Sequence, residues 1–316
     1  MIYLVTGGTG FIGSYVVRDL LKQGHEVISY DLPAGASPLL KELIPAENLR
    51  KVKFIQGDVK DYALIADTIK QNKVDNIIHL AACMIPECEK DVPLAIRTTI
   101  VGTNNIFEAA RAFGLKRVTW SDSSSVVGNL GNRLGDKLPE NISCPGNFYG
   151  ATKTLCEYMA GHYNKNFGMD IISVRYWRVY GPGKNTGGGA VFTEFVKNFA
   201  LGNPVAIAGG ESKWAYIHVE DASLTTIKAS QVASTKTKVF DLHDGRSYNG
   251  WELAEVLKEI NPQVKVNIAG GKAQYDFPDV ITTPAREELE FKPRSLKLGL
   301  TQFINYFRKQ NNLPSF

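Results

Sequence analysis

Tyr149 and Lys153 stand four residues apart, just over one helical turn, so in a helix both side chains leave the same face. A phenol with a pKa near ~10 is a weak base at neutral pH, but an adjacent ammonium favours the phenolate. Such a tyrosine takes a proton from a substrate alcohol as hydride leaves its carbon, or returns one to a carbonyl. The spacing also fits a plainer role in which Lys153 pairs with Glu157 one turn later. The stretch "SDSSSVVG" at 121–128 adds hydroxyls able to hold a substrate oxygen.

Hydride transfer needs an acceptor, and the first residues, "MIYLVTGGTGFIG", offer a place for one. Gly7, Gly10 and Gly13 lie between a β-rich run and an amphipathic one, the strand–turn–helix context that turns a glycine pattern into a dinucleotide site. Gly7 allows the tight turn, Gly10 lets backbone N–H groups approach a pyrophosphate, and Gly13 lets the helix pack closely on the strand. The helix N-terminus adds partial positive charge toward the phosphates. Asp31 closes the second strand 18 residues beyond Gly13, where a carboxylate accepts hydrogen bonds from a ribose. It repels a 2′-phosphate, and "LPAG" after it holds no arginine to receive one, so the expected cofactor is NAD rather than NADP. The competing readings are an ordinary βα turn and a turn aspartate before Pro33.

The elements around these residues repeat a strand–helix rhythm. Short apolar strands are expected at "IYLVTGG", "HEVISYD", "VKFIQGDV", "VDNIIHLAA", "RVTWSDSS" and "IISVRYWRV". Helices are expected at "FIGSYVVRDLLKQG", "ALIADTIKQN", "TTIVGTNNIFEAARAFG" and "YGATKTLCEYMAGHYNKNFG". The alternation predicts an α/β fold with a doubly wound parallel sheet. After "YGPGKNTGGG" the rhythm changes to a helix in "AVFTEFVKNFALG" and mixed short elements. The expected division is a cofactor-binding domain over 1–180, with returns near 214–245, and a smaller substrate-binding lobe from 181–213 and 246–316.

The 316 residues carry a net charge of +4 and no dense basic block, which argues against nucleic-acid binding. No leader peptide and no apolar run of membrane-spanning length is visible, so the expectation is a cytoplasmic protein without a membrane partner. Cys83, Cys88, Cys144 and Cys156 are too few and too scattered for a disulfide framework and are read as reduced thiols. The histidines are dispersed and no zinc spacing is present, so no metal is expected.

Taken together, these motifs resemble the extended short-chain dehydrogenase/reductases, also called the NAD-dependent epimerase/dehydratase family, over essentially the whole chain. "TGGTGFIG" resembles that family's cofactor fingerprint, carrying Gly7, Gly10, Phe11, Ile12 and Gly13. "GDVKD" resembles the stretch whose Asp58 and Val59 would meet the adenine, and "HLAA" the strand end that sets Leu80, Ala81 and Ala82 along the cofactor. "VGTNN" resembles the G-T-x-N helix signature through Gly102, Thr103 and Asn105. "YGATK", "RVYGPG" and "YIHVEDAS" are similar to later landmarks. The resemblance implies a Rossmann-type fold with bound NAD, Tyr149 as acid/base, and Lys153 as its pKa-lowering partner and ribose ligand. Counting five back from Gly128 gives Ser123 as the orienting hydroxyl. It also implies a homodimer built on the Tyr149 helix and the helix near 98–112.

Departures from the family pattern bear on the substrate. Ser124 and Ser125 stand where dehydratases of the family carry Asp-Glu, which argues against dehydration. Arg178 replaces a habitual asparagine, and Trp214 a habitual arginine, among the nucleotide-diphosphate contacts. Arg178 can still bind a phosphate or carboxylate through its fork, or serve a structural ion pair. Trp214 reads as pocket wall or core. Cys83 and Met84, in the "CMIPEC" loop, lie where the family caps its substrate. The expected function is an NAD-dependent oxidoreductase moving hydride between a small secondary alcohol or carbonyl substrate and the nicotinamide. The alternative is a nucleotide-sugar 4-epimerase similar to UDP-glucose 4-epimerase.

Overall fold

The structure is a computed structural model and describes residues 1–128, 145–185, 187–273, 276–277 and 282–316; Cys144 lies outside the described residues. Twelve described strands are numbered in chain order. They are β1 (Ile2–Thr6), β2 (Glu26–Asp31), β3 (Val52–Gln56), β4 (Asn76–His79), β5 (Arg117–Ser123), β6 (Asp170–Tyr176), β7 (Arg178–Tyr180), β8 (Val205–Ile207), β9 (Trp214–His218), β10 (Val239–Leu242), β11 (Ser247–Tyr248) and β12 (Val266–Ile268).

Seven of them form one sheet in the order β10-β6-β5-β4-β1-β2-β3, and every pairing in it is parallel. This is the doubly wound parallel sheet that the alternating strands and helices predict. Its strands are apolar on both faces because helices cover both. On β1, Tyr3 and Val5 point to the side packed by Val16, Val17, Leu20 and Ile227. Leu4 points to the other side, among Ile65, Ile106, Phe107, Cys156 and Trp120. Each such side chain, fully buried, contributes about 1.5–3 kcal/mol. The helices Phe11–Lys22 and Val219–Gln231 therefore lie on one face. Tyr62–Asn72, Gly102–Ala112 and Phe148–Phe167 lie on the other.

The chain builds outward from β1 to β2 and β3, then returns to place β4 on the far side of β1. The crevice between the C-terminal ends of β1 and β4 is the topological switch point, where open α/β sheets bind ligands. The crossover from β2 to β3 holds two short helices, Pro38–Leu43 and Ala46–Leu49, too brief for a 3.6-residue period to stand out in the sequence.

One strand expectation is corrected. "IISVRYWRV" is not a single strand: β6 ends at Tyr176 in the large sheet, and β7 begins at Arg178 in a separate three-stranded sheet, β11-β9-β7. Trp177 makes the break. Its side chain is buried, and its indole N–H donates to Asp241 Oδ1 at 2.8 Å, which fixes the corner between the sheets. Helices Ala190–Ala200, Gly250–Ile260 and Leu296–Gln310 pack beside the small sheet around Tyr180, Phe192, Phe199, Leu257 and Phe303.

Candidate functional site

At the switch point, Gly7 follows β1 with φ +69° and abuts the end of β4. A Cβ at Gly7 would come 2.8 Å from Ala81 N and 2.9 Å from Leu80 C; one at Gly13 would come 2.0 Å from Gly7 O. Neither neighbour can give way, because both are backbone. The turn is thus as tight as a glycine cradle demands. The helix that follows has Gly10 at its N-cap and no side-chain cap, so its first N–H groups remain available to a ligand. These features fit a pyrophosphate-bearing dinucleotide. Phe11 packs edge-on against Tyr15, and Ile12 lies against the apolar cores beneath.

Asp31 ends β2 beside this turn. Its Oδ2 accepts the Thr9 N–H at 3.0 Å and the Thr9 hydroxyl at 2.5 Å, and its Oδ1 accepts Leu32 N–H at 2.8 Å. The carboxylate is therefore pinned to the glycine turn itself. At the next strand end, the Tyr30 hydroxyl donates to Asp58 O at 2.9 Å, and the Asn105 amide donates to Val59 O at 3.0 Å. Gly102 lets the Gly102–Ala112 helix close onto Val59, since a Cβ there would come 2.5 Å from the valine methyl. His79, ahead of Leu80, sits between the hydroxyls of Thr6 (2.6 Å) and Thr103 (3.1 Å). Burial and the Lys153 charge push its pKa down to about 3, which keeps it neutral.

The Tyr149 helix starts at Asn147, whose side chain accepts Gly150 N–H at 2.7 Å and caps the first turn. A Cβ on Gly150 would come 2.3 Å from Ser125 O, so only glycine lets this turn lie against the end of β5. Tyr149 and Ser123 meet there. Burial drives the phenol's pKa upward, and the Ser123 hydroxyl beside it works the other way. Lys153 is almost wholly buried one turn on and donates to Ser121 O at 2.7 Å. Its ammonium lies 5.8 Å from the Tyr149 ring centroid and 5.2 Å from that of Trp120. Burial lowers its pKa, against the pull of Cys156, Asp122 and Cys88.

Among the substrate candidates, Cys83 packs with Cys88, Ala95 and Tyr149. Cys88 donates to Cys83 O at 3.0 Å, and burial pushes its thiol up to about 12, so it is not a thiolate at neutral pH. Met84 is 47% exposed and stays outside this cluster. Ser124 lies in the turn Ser124–Val126, where its carbonyl accepts Val127 N–H at 3.0 Å. Arg178 and Trp214 meet on the small sheet, with the guanidinium carbon 3.4 Å from the Trp214 ring centroid.

Some site features escaped the sequence reading. Thr9 looks like one more turn residue until the fold brings Asp31 to it. Lys184, four residues past Tyr180, sets its ammonium 5.3 Å from the Phe11 ring centroid, over the start of the glycine-turn helix. Its flanking "GPG" was a usable signal of a tight segment, since Gly181 and Gly183 both have positive φ and close on the side chains of Val219 and Leu39. Behind Lys153, Arg175 gathers three carboxylates: Asp241 at 3.1 Å, Asp122 at 3.3 Å, and Glu157. Glu157 thus pairs with Arg175 rather than with Lys153. Among the described residues there is no group of metal-ligating side chains, and no helix is long and apolar enough to cross a membrane.

Residues 3–249 match the sequence profile of the NAD dependent epimerase/dehydratase family. UDP-glucose 4-epimerase of Lactobacillus helveticus is 27% identical over 319 residues, covering 93% of this chain and 92% of that protein. dTDP-glucose 4,6-dehydratase of Streptomyces niveus is 28% identical over 320 residues, covering 98% and 93%. The crystal structure of UDP-glucose 4-epimerase from Thermotoga maritima with UDP-glucose superposes with a TM-score of 0.80 at 27% identity, covering 98% of this chain and 100% of that one.

Proposed function

The chain belongs to the NAD-dependent epimerase/dehydratase family, and from that premise we propose that it is a nucleotide-sugar 4-epimerase, oxidising and re-reducing the sugar C4 carbon. The observation that carries the reading is the meeting of Tyr149 with Ser123 at the end of β5, above the buried Lys153. Full-length similarity to 4-epimerases supports it. Bound NAD supplies the hydride acceptor and, in the return step, the donor. Gly7, Gly10, Phe11, Ile12 and Gly13 would hold its pyrophosphate, Asp31 a ribose, Asp58 and Val59 the adenine, and Leu80, Ala81 and Ala82 its nicotinamide half.

The protein's own work is at the C4 oxygen. Tyr149 exchanges the proton with that oxygen, and the Ser123 hydroxyl holds it in line. Burial raises the Tyr149 pKa, so the phenolate that takes the C4 hydroxyl proton in the oxidising half needs local stabilisation. The phenol so formed returns that proton to the carbonyl in the reducing half. Lys153, its ammonium buried 5.8 Å from the Tyr149 ring centroid, counters the cost of forming the phenolate. A dehydratase is among the relatives. Elimination needs a further acid and base, however, and Ser124 and Ser125 offer no carboxylate after Ser123, which supports epimerisation over dehydration. The exposed Val101, Leu155 and Tyr158 support the homodimer reading, which sedimentation checks.

An epimerase reuses its cofactor in every turnover and has no reason to release it. The purified protein, denatured and assayed for nicotinamide, is expected to yield close to one NAD or NADH per chain. A protein that purifies empty and binds added NAD reversibly is a simple dehydrogenase instead.

A further inference from the structure

The Tyr149 helix begins with a bond from outside itself. Tyr149 is the second residue of the helix Phe148–Phe167, so its backbone N–H is one of the four donors that a helix cannot satisfy internally. The Asn147 side chain takes the Gly150 N–H at 2.7 Å, and Asn147 O takes the Ala151 N–H at 3.2 Å. The Tyr149 N–H goes instead to Glu89, 60 residues earlier in the chain, donating to its Oε1 at 3.1 Å. A carboxylate on such an N–H makes a charge-assisted bond and also meets the positive end of the helix dipole.

Glu89 is carried by the segment that leaves β4. The segment runs from Leu80, Ala81 and Ala82 through Cys83 to the short helix Glu87–Lys90. Hydrogen bonds hold it in shape: Cys83 N–H donates to Thr99 Oγ1 at 3.2 Å, Cys88 N–H to Met84 O at 2.9 Å, and the Cys88 thiol to Cys83 O at 3.0 Å. Cys88 is fully buried and packs with Cys83 and the Tyr149 ring. Its neighbour Glu89 is exposed and reaches the Tyr149 backbone. One segment therefore grips Tyr149 twice, by ring and by backbone, while Gly150 closes on Ser125 O at the end of β5.

This arrangement bears on the reaction because hydride and proton leave the same C–O unit. Their acceptors, the nicotinamide and the phenol, must stand in a fixed relation to each other. Leu80, Ala81 and Ala82 are the residues assigned above to the nicotinamide half, and Glu89 follows Ala82 by seven residues on the same segment. Because Glu89 is exposed, water can replace it as the acceptor of the N–H. Water cannot tie the helix to the β4 segment. Loss of Glu89 thus costs position rather than a buried bond.

We propose that Glu89 is a positioning residue for Tyr149: by holding the tyrosine's backbone N–H, it fixes the phenol relative to the nicotinamide side of the site. The proposal rests on the reading of Tyr149 as acid/base and adds to it the residue that sets its place.

The test compares the parent with Glu89→Ala and Glu89→Gln. The readouts are C4 epimerisation kinetics on UDP-glucose and UDP-glucuronate, NAD titration, and hydrogen exchange of the peptide spanning 147–153. Glu89→Ala is expected to lower kcat about 10-fold, less than the ~100-fold that a 1 Å misplacement can cost. KM and NAD affinity should stay within about 2-fold of the parent, and exchange at the start of the helix should speed up. Glu89→Gln keeps an oxygen acceptor, so it should restore the protection and bring kcat to within about 3-fold of the parent. An unchanged kcat in Glu89→Ala overturns the proposal, as does a loss confined to KM or NAD affinity. Equal losses in both variants trace the effect to the charge rather than to the bond, and overturn it too. If the parent binds NAD but epimerises neither sugar, the epimerase reading fails separately. Exchange then decides: protection lost in Glu89→Ala and kept in Glu89→Gln upholds the grip on Tyr149, and unchanged protection removes it.

Discussion

Replacing Tyr149 by phenylalanine is expected to lower kcat by roughly 100- to 10,000-fold, the usual contribution of a positioned acid/base, with NAD affinity and thermal stability close to those of the parent. The ring stays, so the packing with Cys83, Cys88 and Ala95 is kept. What is lost is the hydroxyl beside Ser123. No other described group is so placed: Lys153 is committed to Ser121 O, and Cys88 keeps its proton because burial raises its pKa to about 12. The variant should therefore bind cofactor and substrate and fail at the proton transfer. Steady-state kinetics beside a titration with NAD separates the two steps. A Tyr149→Phe variant that turns over like the parent means that another group carries the proton.

The second large effect concerns stability. Arg175→Ala removes the single guanidinium shared by Asp122, Glu157 and Asp241, which come from β5, the Tyr149 helix and β10. The Asp122 side chain has no solvent exposure at all. Even with Arg175 present, burial and Glu157 hold the Asp122 carboxyl well above the usual carboxylate range. Breaking one partner out of a buried ion cluster costs about 3–5 kcal/mol, which for a chain of this size lowers Tm by roughly 5–8 °C. The damage reaches the site, because Asp122 precedes Ser123 and Glu157 lies one turn past Lys153. Arg175→Lys, which keeps the charge and loses the fork, should fall between the variant and the parent. A melting temperature unchanged in Arg175→Ala means that the cluster does not tie these elements together.

The fold was legible because its signals are local. β1 alternates between two buried faces, the glycine turn breaks it at once, and the following helix shows its period within 12 residues. The Tyr149–Lys153 spacing is local in the same sense. The features that escaped are those built from residues far apart in the chain. Arg175 meets partners 18, 53 and 66 residues away, and nothing in the spacing of Asp122, Glu157 and Asp241 announces it. Thr9 and Asp31 are 22 residues apart, and only the β1–β2 pairing brings them together. The break at Trp177 escaped for another reason. "IISVRYWRV" has uniform strand propensity, and the switch between sheets is decided by the indole bond to Asp241, not by a glycine or proline that a reader could see.

Arg178 shows where a local reading leaves two answers open. An arginine in a strand is as good a structural ion-pair partner as a ligand anchor. The fold puts an aromatic floor under one face of Arg178 and no carboxylate within ion-pair distance among the described residues, which removes the plain ion-pair reading and leaves the ligand role to experiment.

The measurement that tests the central claim most directly is the reaction itself. Purified protein, with no cofactor added, is mixed in turn with UDP-glucose and UDP-glucuronate, and the sugar C4 configuration is followed by proton NMR while NADH absorbance is recorded. The expected result is conversion of at least one of the two to a mixture of its C4 epimers, with no net NADH released. Substrate left unchanged at C4, or NADH accumulating in step with an oxidised product, would contradict the epimerase reading.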